Sequence, residues 1–254
     1  MALWNGPLMT GAEPGRITGI KGFVPVSLLD WPGKVCAIVF LAGCGFRCPA
    51  CHNGSLVLNP ESLPDIDSKE VFQRIKTRRN WIDGITVTGG EPTCRANLPG
   101  FLLECKTRGL TVKLDTNGSN PDMLERLIGG HLVDAVYMDV KAPLIEASYS
   151  RVAGVPVNLD HIRRSIRVLK SSRIEVVFRT TVIPGLVEEP ELELIGESLG
   201  PVPHFRIQAF RAKECLNPAF MAFKEFPLAR VELMRRMFEG PRGESVPDRY
   251  RRAG

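Results

Sequence analysis

The sequence predicts an α/β fold in which six parallel strands form an open or partial (β/α)6 barrel, with a doubly wound sheet as the competing topology. Two observations lead to this prediction. Short apolar runs rich in β-branched residues alternate with amphipathic helical patterns along most of the 254 residues. Polar or glycine-rich residues also follow four successive runs directly, at the strand ends where barrel active sites lie.

Six apolar runs predict the strands. The first, residues 35–43, is continuously apolar, which is typical of a strand buried on both faces. The other five runs are residues 84–90, 111–118, 134–143, 174–185 and 204–210. Since helical patterns separate most of these runs, right-handed crossovers are expected to make neighbouring strands parallel.

Between the apolar runs, helices are predicted from the spacing of apolar residues on one helical face and from the residue types at the helix ends. Ser68 is expected to cap the first helix, Gly109 to end the second and Pro121 to begin the third. The predicted helices are residues 68–81, 97–109, 121–130, 158–172, 189–200 and 225–239.

The chain is expected to contain one core with an extension at each end. Residues 1–33 are predicted to be an N-terminal extension that ends in a DWPG turn. Residues 34–212 form the core, and residues 213–254 form a C-terminal helix and an arginine-rich tail. A net charge of +5 is too small to indicate nucleic-acid binding. No run approaches about eighteen apolar residues, and the first residues lack a signal-peptide pattern, so we expect a cytoplasmic protein without a membrane span.

Three of the seven cysteines, Cys44, Cys48 and Cys51, lie within eight residues. Without a secretion signal, such a cluster indicates metal binding or redox chemistry. Thiolates suit iron–sulfur clusters or zinc, and three of them can hold a [4Fe–4S] cluster with its fourth iron open. Structural zinc with His52 as the fourth ligand is the alternative. Adjacent residues rarely reach one tetrahedral ion, however, and the chain has no second Cys-x2-Cys pair.

The other four cysteines are scattered along the chain, at Cys36, Cys94, Cys105 and Cys215. Their lack of close spacing gives no indication of an auxiliary cluster. We expect them to be small buried hydrophobic residues and predict a single cluster.

The strand ends that follow the cysteine loop supply further candidate site residues. These are Gly89, Gly90, Glu91, Asp115, Asn117, Asp139 and Lys141. Two residues apart on a strand, Asp139 and Lys141 point to the same side. A structural alternative stays open for each group: a plain turn for GGEP, an Asx turn for DTNG and a buried ion pair for Asp139 with Lys141.

The cysteine triad followed by GGEP resembles the radical S-adenosylmethionine (SAM) superfamily. The segments SLLDWPGKVCAIVFLAGCGFRCPACHN, KLDTNGSNPDMLERL and VDAVYMDVKAPL are similar to the glycyl radical enzyme activases. Within this branch the resemblance is nearest to the activating protein of anaerobic ribonucleoside-triphosphate reductase. It extends from about residue 17 to about residue 212.

The resemblance implies a TIM-like partial barrel of the radical SAM type, with one [4Fe–4S] cluster on Cys44, Cys48 and Cys51. In the family, SAM binds the open iron, and an electron from a donor such as flavodoxin or ferredoxin cleaves it to a 5′-deoxyadenosyl radical. This radical takes hydrogen from a backbone glycine of a partner. The implied partner is a glycyl radical enzyme, anaerobic ribonucleotide reductase, with no membrane or nucleic acid involved.

The resemblance also implies roles for the residues after the second and third strands. Gly89 and Gly90 would let the backbone approach the methionine part of SAM, and Glu91 would accept hydrogen bonds from its ammonium group. Asp115 and Asn117 would serve the ribose hydroxyls or a bound cation.

After the fourth strand, Asp139 and Lys141 would lie near SAM, with Lys141 facing its carboxylate. Arg179 and Gln208, on the last two strands, are weaker candidates. The sequence departs from the family at Ala50, because the residue before the third cysteine is commonly aromatic and packs near the adenine. Adenine packing is therefore expected from elsewhere, with Phe46 as the candidate.

Two other functions stay open. One is a radical SAM enzyme that acts on a small molecule or a peptide. The other is a non-catalytic iron–sulfur or zinc protein, which would have no need of GGEP.

Overall fold

The computed structural model describes residues 16–78, 80–202 and 204–238. One seven-stranded sheet organises the fold, and its strands lie side by side in chain order. The strands are β1 (Ile20–Ser27), β2 (Cys36–Leu41), β3 (Gly84–Gly89), β4 (Thr111–Thr116), β5 (Ala135–Asp139), β6 (Glu175–Val182) and β7 (Phe205–Ala209). The strands β2 to β7 are all parallel, and β1 is antiparallel to β2.

The helices described are α1 (Gly54–Leu58), α2 (Ser68–Lys76), α3 (Leu98–Thr107), α4 (Pro121–Gly129), α5 (Glu146–Ala153), α6 (Leu159–Ser171), α7 (Glu189–Leu199) and α8 (Leu228–Arg236). All six predicted helices are present, whereas α1 and α5 were not predicted. The cap of α2 is Asp67 instead of Ser68, because the Asp67 carboxylate accepts from the backbone N–H of Lys69 at 2.8 Å. None of these helices is long and apolar enough to cross a membrane.

The strand order decides between the two predicted topologies. In a doubly wound sheet the strand order reverses at a switch point, whereas here β2 to β7 follow one another without reversal. Among the described residues no pairing joins β7 back to β1, so the sheet stays open between these two edges. The predicted partial (β/α)6 barrel is therefore confirmed, with one added antiparallel strand.

That added strand, β1, lies in the segment that the sequence analysis assigned to an N-terminal extension. Most of its residues are half-buried or exposed, and its register with β2 shifts between Ile20 and Gly22 and again between Val24 and Ser27. Such a segment shows neither an apolar run nor clean alternation, so it gives no strand signal. Residues 1–15 and 239–254, which include most of the arginine-rich tail, lie outside the described residues.

The two faces of the sheet carry different side chains. Because successive residues of a strand point to opposite faces, one set packs against the helices and includes Val39 and Met138. The other set lines the inside of the partial barrel, where Trp31, Tyr137 and Val177 belong to a separate small cluster. The helices thus cover the outer face and leave the inner face for the interior of the barrel.

A buried lysine also occupies the inside of the barrel. The Lys113 side chain is only 1% exposed, and its Nζ lies 2.5 Å from Asp115 Oδ1. The same ammonium group lies 4.3 Å from the centre of the Tyr137 ring. Burial lowers the pKa of Lys113, and the neighbouring Asp115 opposes this shift. The barrel interior therefore contains paired charges, and further charged pairs lie towards the carboxyl ends of the strands.

Candidate functional site

One cavity of about 500 Å³ lies at the carboxyl ends of the parallel strands. Its lining includes nine of the predicted site residues: Cys44, Cys48, Cys51, Gly89, Gly90, Asp115, Asn117, Asp139 and Lys141. The weaker candidates Arg179 and Gln208 line it as well, whereas Glu91 does not. The structure therefore brings together residues from all six parallel strands or the loops that follow them, as expected for a barrel of parallel strands.

The cysteine loop, residues 43–51, is held in place by neighbouring segments. The backbone N–H of Arg47 donates to the carbonyl of Ala153 at 2.8 Å. Directly after the loop, Asn53 Nδ2 donates to the carbonyl of Gly89 at 2.8 Å, which ties the loop to the end of β3. These contacts fix the path of the loop along the cavity wall.

The thiols of Cys44, Cys48 and Cys51 are only partly exposed, and two N–H groups point at the Cys44 sulfur. The donors are the backbone nitrogen of Phe46 at 3.3 Å and Asn117 Nδ2 at 3.6 Å. Burial raises the pKa of the Cys44 thiol to about 12, and burial also raises the pKa of Cys48. Metal binding here would release thiol protons, because the ligand form of cysteine is the thiolate.

The donor set fits a cluster better than a single metal ion. Among the described residues, no group of three or more His, Cys, Asp and Glu side chains is placed to hold one ion. Tetrahedral zinc needs its ligands about 2.0–2.3 Å from a single centre, whereas each thiolate of an iron–sulfur cluster binds a different iron. His52, the fourth ligand in the zinc alternative, has its Nε2 2.8 Å from the carbonyl of Arg211. Three thiols beside a polar cavity fit an iron–sulfur cluster.

The two glycines after β3 allow this turn to lie directly against the cysteine loop. Gly89 has φ +125°, and a Cβ there would lie 2.3 Å from the carbonyl oxygen of Leu41. A Cβ on Gly90 would lie 2.1 Å from the carbonyl oxygen of Gly43. The N–H groups of Gly90 and Glu91 donate to Leu41 and Gly43 at 2.8 and 2.7 Å. Contact between two stretches of protein backbone, which the sequence analysis did not foresee, therefore requires both glycines.

The Glu91 side chain is fully buried, and its carboxylate bonds to the protein. Oε1 accepts from the backbone N–H of Thr93 at 3.1 Å and from its hydroxyl at 2.6 Å. Oε1 also accepts from the Thr116 hydroxyl, and Oε2 accepts from the backbone N–H of Asn117, both at 2.7 Å. Burial raises the pKa of Glu91, and these hydrogen bonds oppose the shift. These contacts are all made within the protein, and the predicted contact between Glu91 and the ammonium group of SAM stays a prediction.

The DTNG segment combines an Asx turn with groups that face the cavity. The backbone N–H of Ser119 donates to Asn117 Oδ1 at 2.9 Å, which closes the turn. The amide nitrogen of Asn117 points at Cys44, and Asp115 lies 3.4 Å from Arg179. The structural alternative is thus present, and both predicted residues still line the cavity.

Asp139 is paired with two cations. Lys141 Nζ donates to its Oδ2 at 2.9 Å, and Arg179 Nε donates to its Oδ1 at 2.7 Å. Burial acts to raise the pKa of Asp139, but the charges of Arg179 and Lys141 outweigh burial and lower this pKa to about 2. An ammonium group has three N–H donors, so Lys141, which lines the cavity, can bind a second acceptor.

The sequence analysis missed Asp30, a residue of the DWPG turn that lines this cavity. Asp30 also lines a second cavity of about 400 Å³, which shares Asp115, Arg179 and Gln208 with the first and reaches Arg206 of β7. The signal available in the sequence was a carboxylate in a tight turn. Because this turn precedes the first parallel strand, the rule for carboxyl strand ends did not select it.

The cavity lining also includes apolar side chains. Phe46 and Ala50 both belong to the lining, together with Ile183 and Leu186. The Phe46 ring contacts Tyr149 edge to face, with ring centres 6.5 Å apart. That Phe46 packs against adenine stays a prediction.

Comparison with known proteins places this site in a wider context. A model of the Radical SAM superfamily matches residues 38–196. The chain is 31% identical, over 222 residues, to a protein of Methanocaldococcus jannaschii named as a candidate glycyl-radical enzyme activating enzyme; the match covers 86% of this chain and 89% of that protein. It is 26% identical over 186 residues to the pyruvate formate-lyase-activating enzyme of Clostridium pasteurianum, covering 70% and 72% of the two chains.

Among solved structures, Streptococcus suis SuiB bound to S-adenosylmethionine matches with a TM-score of 0.60 and 13% identity. The match covers 80% of this chain and 47% of SuiB, so the chain spans about half the length of that protein. At this level of identity the likeness shows a shared fold.

Proposed function

The chain belongs to the radical SAM superfamily, and from this premise we propose that it is an activating enzyme that installs a radical on a backbone glycine of a glycyl radical enzyme. The cofactors of the superfamily are a [4Fe–4S] cluster and SAM. The observation that carries the proposal is the cavity in which three half-buried thiols meet polar or glycine residues from five further strands. Similarity to activating enzymes along most of the chain supports the class of reaction.

Cys44, Cys48 and Cys51 are the proposed cluster ligands. Their loop is tied to the end of β3 and to the end of α5 by backbone and Asn53 hydrogen bonds, so the three thiols share one wall of the cavity. When bound, the cluster and SAM supply a 5′-deoxyadenosyl radical by reductive cleavage of the sulfonium, and this radical removes a hydrogen atom from the substrate. The protein contributes ligation, orientation and exclusion of water.

The other lining residues are proposed to hold SAM. Lys141 is the partner for its carboxylate, since its ammonium group is held at the cavity by Asp139 and retains free donor capacity. Gly89 and Gly90 form the wall beside the cysteine loop and leave room for the methionine part. Asp115 is proposed to face the ribose or a bound cation.

The second cavity supports a polypeptide substrate. It adjoins the first through Asp115, Arg179 and Gln208, and it extends to Arg206 on the edge strand β7, beside the gap in the barrel. A glycine of an extended segment could reach the site from this side, because glycine has no side chain to obstruct close approach.

The proposal also names a partner enzyme and an electron donor. Anaerobic ribonucleoside-triphosphate reductase is the proposed target, on the resemblance that the longer segments from about residue 17 to about residue 212 carry together. Flavodoxin or ferredoxin is the proposed electron donor. Since one of the relatives above is an activating enzyme for pyruvate formate-lyase, that enzyme is the natural comparison.

The test is anaerobic activation followed by electron paramagnetic resonance. The reconstituted, reduced protein is mixed with SAM and with either anaerobic ribonucleotide reductase or pyruvate formate-lyase. We expect a glycyl radical signal on the reductase, no signal with Cys48→Ala, and a retained signal with the matched control Cys105→Ala, whose cysteine is buried in α3. A signal only on pyruvate formate-lyase would refute the choice of partner. Formation of 5′-deoxyadenosine with no radical on either partner would contradict the activating role and favour a small-molecule substrate.

A further inference from the structure

We propose that Asn117 tunes the reduction potential of the cluster through a hydrogen bond to the Cys44 sulfur, and that Glu91 is the positioning residue that holds Asn117 in place. The inference rests on the proposed function in one respect, because it needs a cluster bound to Cys44. It gives both residues roles other than the ligand contacts that the family resemblance implies.

The orientation of the Asn117 amide follows from its neighbours. Ser119 contributes a backbone N–H at 2.9 Å from Oδ1, and only the amide oxygen can accept that bond. The amide nitrogen must therefore lie on the other side, where Asn117 Nδ2 is 3.6 Å from Cys44 Sγ. The network thus fixes which end of the amide faces the sulfur.

Glu91 determines where this amide sits. The pairing of β3 with β4 ends at Val87 and Leu114, so the turns that follow are not joined by that ladder. The buried Glu91 carboxylate, which belongs to the turn after β3, accepts from the Thr116 hydroxyl at the end of β4 and from Asn117 N in the turn that follows, both at 2.7 Å. Its side chain therefore joins the two strand ends at the point where the ladder stops.

A hydrogen bond to a ligating sulfur changes the redox equilibrium of a cluster. The reduced cluster carries one more negative charge, so a donor to its thiolate stabilises the reduced form more than the oxidised form. Cys44 receives two such donors, from the Phe46 backbone and from the Asn117 side chain. Only the second can be removed by substitution, and its removal should make the cluster harder to reduce.

The decisive variant is Asn117→Ser, with Asn120→Ser as its matched control. A serine hydroxyl can still accept from the Ser119 N–H and keep the turn, but it is too short to reach Cys44. Asn120 caps α4 by accepting from the backbone N–H of Met123, and its amide nitrogen donates to the Thr93 carbonyl. Neither of these hydrogen bonds involves a sulfur atom.

The measurement is the midpoint potential of the reconstituted cluster without SAM, from a redox titration followed by electron paramagnetic resonance. For Asn117→Ser we expect about tenfold less reduced cluster at a fixed potential, which is a midpoint lower by about 59 mV for a one-electron couple. The isosteric variant Asn117→Asp, which loses the donor and gains a negative charge, should shift the midpoint in the same direction. Asn120→Ser should match the wild type.

Glu91→Gln tests the positioning role. Glu91 Oε1 faces the Thr93 N–H and Oε2 faces the Asn117 N–H, so either orientation of a glutamine amide sets an NH2 group against a backbone donor. We expect a lower midpoint in this variant, although residue 91 does not contact the sulfur. Lower stability with an unchanged midpoint would mean a purely structural role and overturn the assignment of Glu91.

The outcomes separate this inference from the proposed function. An unchanged midpoint in cluster-loaded Asn117→Ser would overturn the tuning role. If neither Asn117 variant takes up a cluster while Asn120→Ser does, Asn117 acts in cluster assembly, and the tuning role is overturned. The expected shifts together with no glycyl radical on any partner would support the inference and contradict the activating function. A wild-type protein that takes up no iron and sulfide would overturn both.

Discussion

Replacing Gly90 with alanine tests the close contact between the turn after β3 and the cysteine loop. The added Cβ would lie 2.1 Å from the carbonyl oxygen of Gly43 and 3.3 Å from the Cβ of Cys44. Ordinary contact begins at 3.4 Å, so the two backbone segments must separate by roughly 1.3 Å. Both obstructing groups belong to the loop, and the nearest is backbone, which cannot rotate away as a flexible side chain can.

The expected cost follows from the bonds that this separation breaks. The hydrogen bonds from Gly90 N to Leu41 O and from Glu91 N to Gly43 O are 2.8 and 2.7 Å long. Each contributes about 1 kcal/mol, and overpacking adds about 1–3 kcal/mol, so we expect a loss of about 3–5 kcal/mol in the free energy of unfolding. A displacement of Cys44 by about 1 Å should also lower the rate of SAM cleavage by roughly a hundredfold.

Urea denaturation of the cluster-free protein measures the first effect, and chromatography of 5′-deoxyadenosine measures the second. Gly45→Ala is the matched control, since it lies in the same loop and its Cβ would meet no atom within 4 Å. The control should change stability by less than about 0.5 kcal/mol. Equal stability and activity of the two variants would refute the argument that the glycines are required by backbone contact.

Three further predictions concern the charged groups of the cavity. Arg179→Met should destabilise the protein by about 3 kcal/mol in urea denaturation, because it removes a cation shared by the partly buried carboxylates of Asp115 and Asp139. The pKa of Asp139 is about 2, below the roughly 3.9 of an unfolded chain, so its contribution is present above about pH 4 and is lost as the pH falls towards 2. Urea titrations between pH 5 and pH 2 should show a loss of about 2 kcal/mol from this group, and a smaller loss in Arg179→Met. Lys141→Met should weaken SAM binding by about tenfold in anaerobic equilibrium dialysis, since it removes a charged donor.

Each of these predictions has a result that contradicts it. An Arg179→Met protein as stable as the wild type would mean that the ion pairs contribute nothing net. An acid dependence unchanged by that substitution would assign the loss to other carboxylates. Unaltered SAM affinity in Lys141→Met, with the cluster loaded, would remove Lys141 from the proposed carboxylate site.

The layout of the fold was accessible from the sequence because each parallel strand is buried on at least one face and reads as an apolar run. All six predicted strands lie where such runs occur, and the separating helices account for their parallel order. The strand β1 was not accessible in this way. It forms the edge of the sheet, mixes exposed and half-buried residues and has an interrupted register, so it lacks the periodicity on which such prediction depends.

Most of the cavity lining was also predictable, except for Asp30 and Glu91, because the carboxyl ends of parallel strands converge whatever the side chains are. The contacts of each side chain were not. Asp139 lies on the predicted face, but only the structure shows that Arg179 and Lys141 both bind it. Glu91 follows a strand end as the others do, yet its carboxylate bonds to Thr116 at the end of the next strand and to Asn117 after it, and it does not line the cavity.

Transfer of hydrogen from the partner's glycine tests the central claim most directly. The partner enzyme is prepared with deuterated glycine and activated anaerobically with this protein and SAM, and the 5′-deoxyadenosine formed is analysed by mass spectrometry. We expect 5′-deoxyadenosine that carries one deuterium, together with a glycyl radical on the partner, and neither product with Cys51→Ala. Unlabelled 5′-deoxyadenosine beside a partner whose glycine keeps its deuterium would contradict the account.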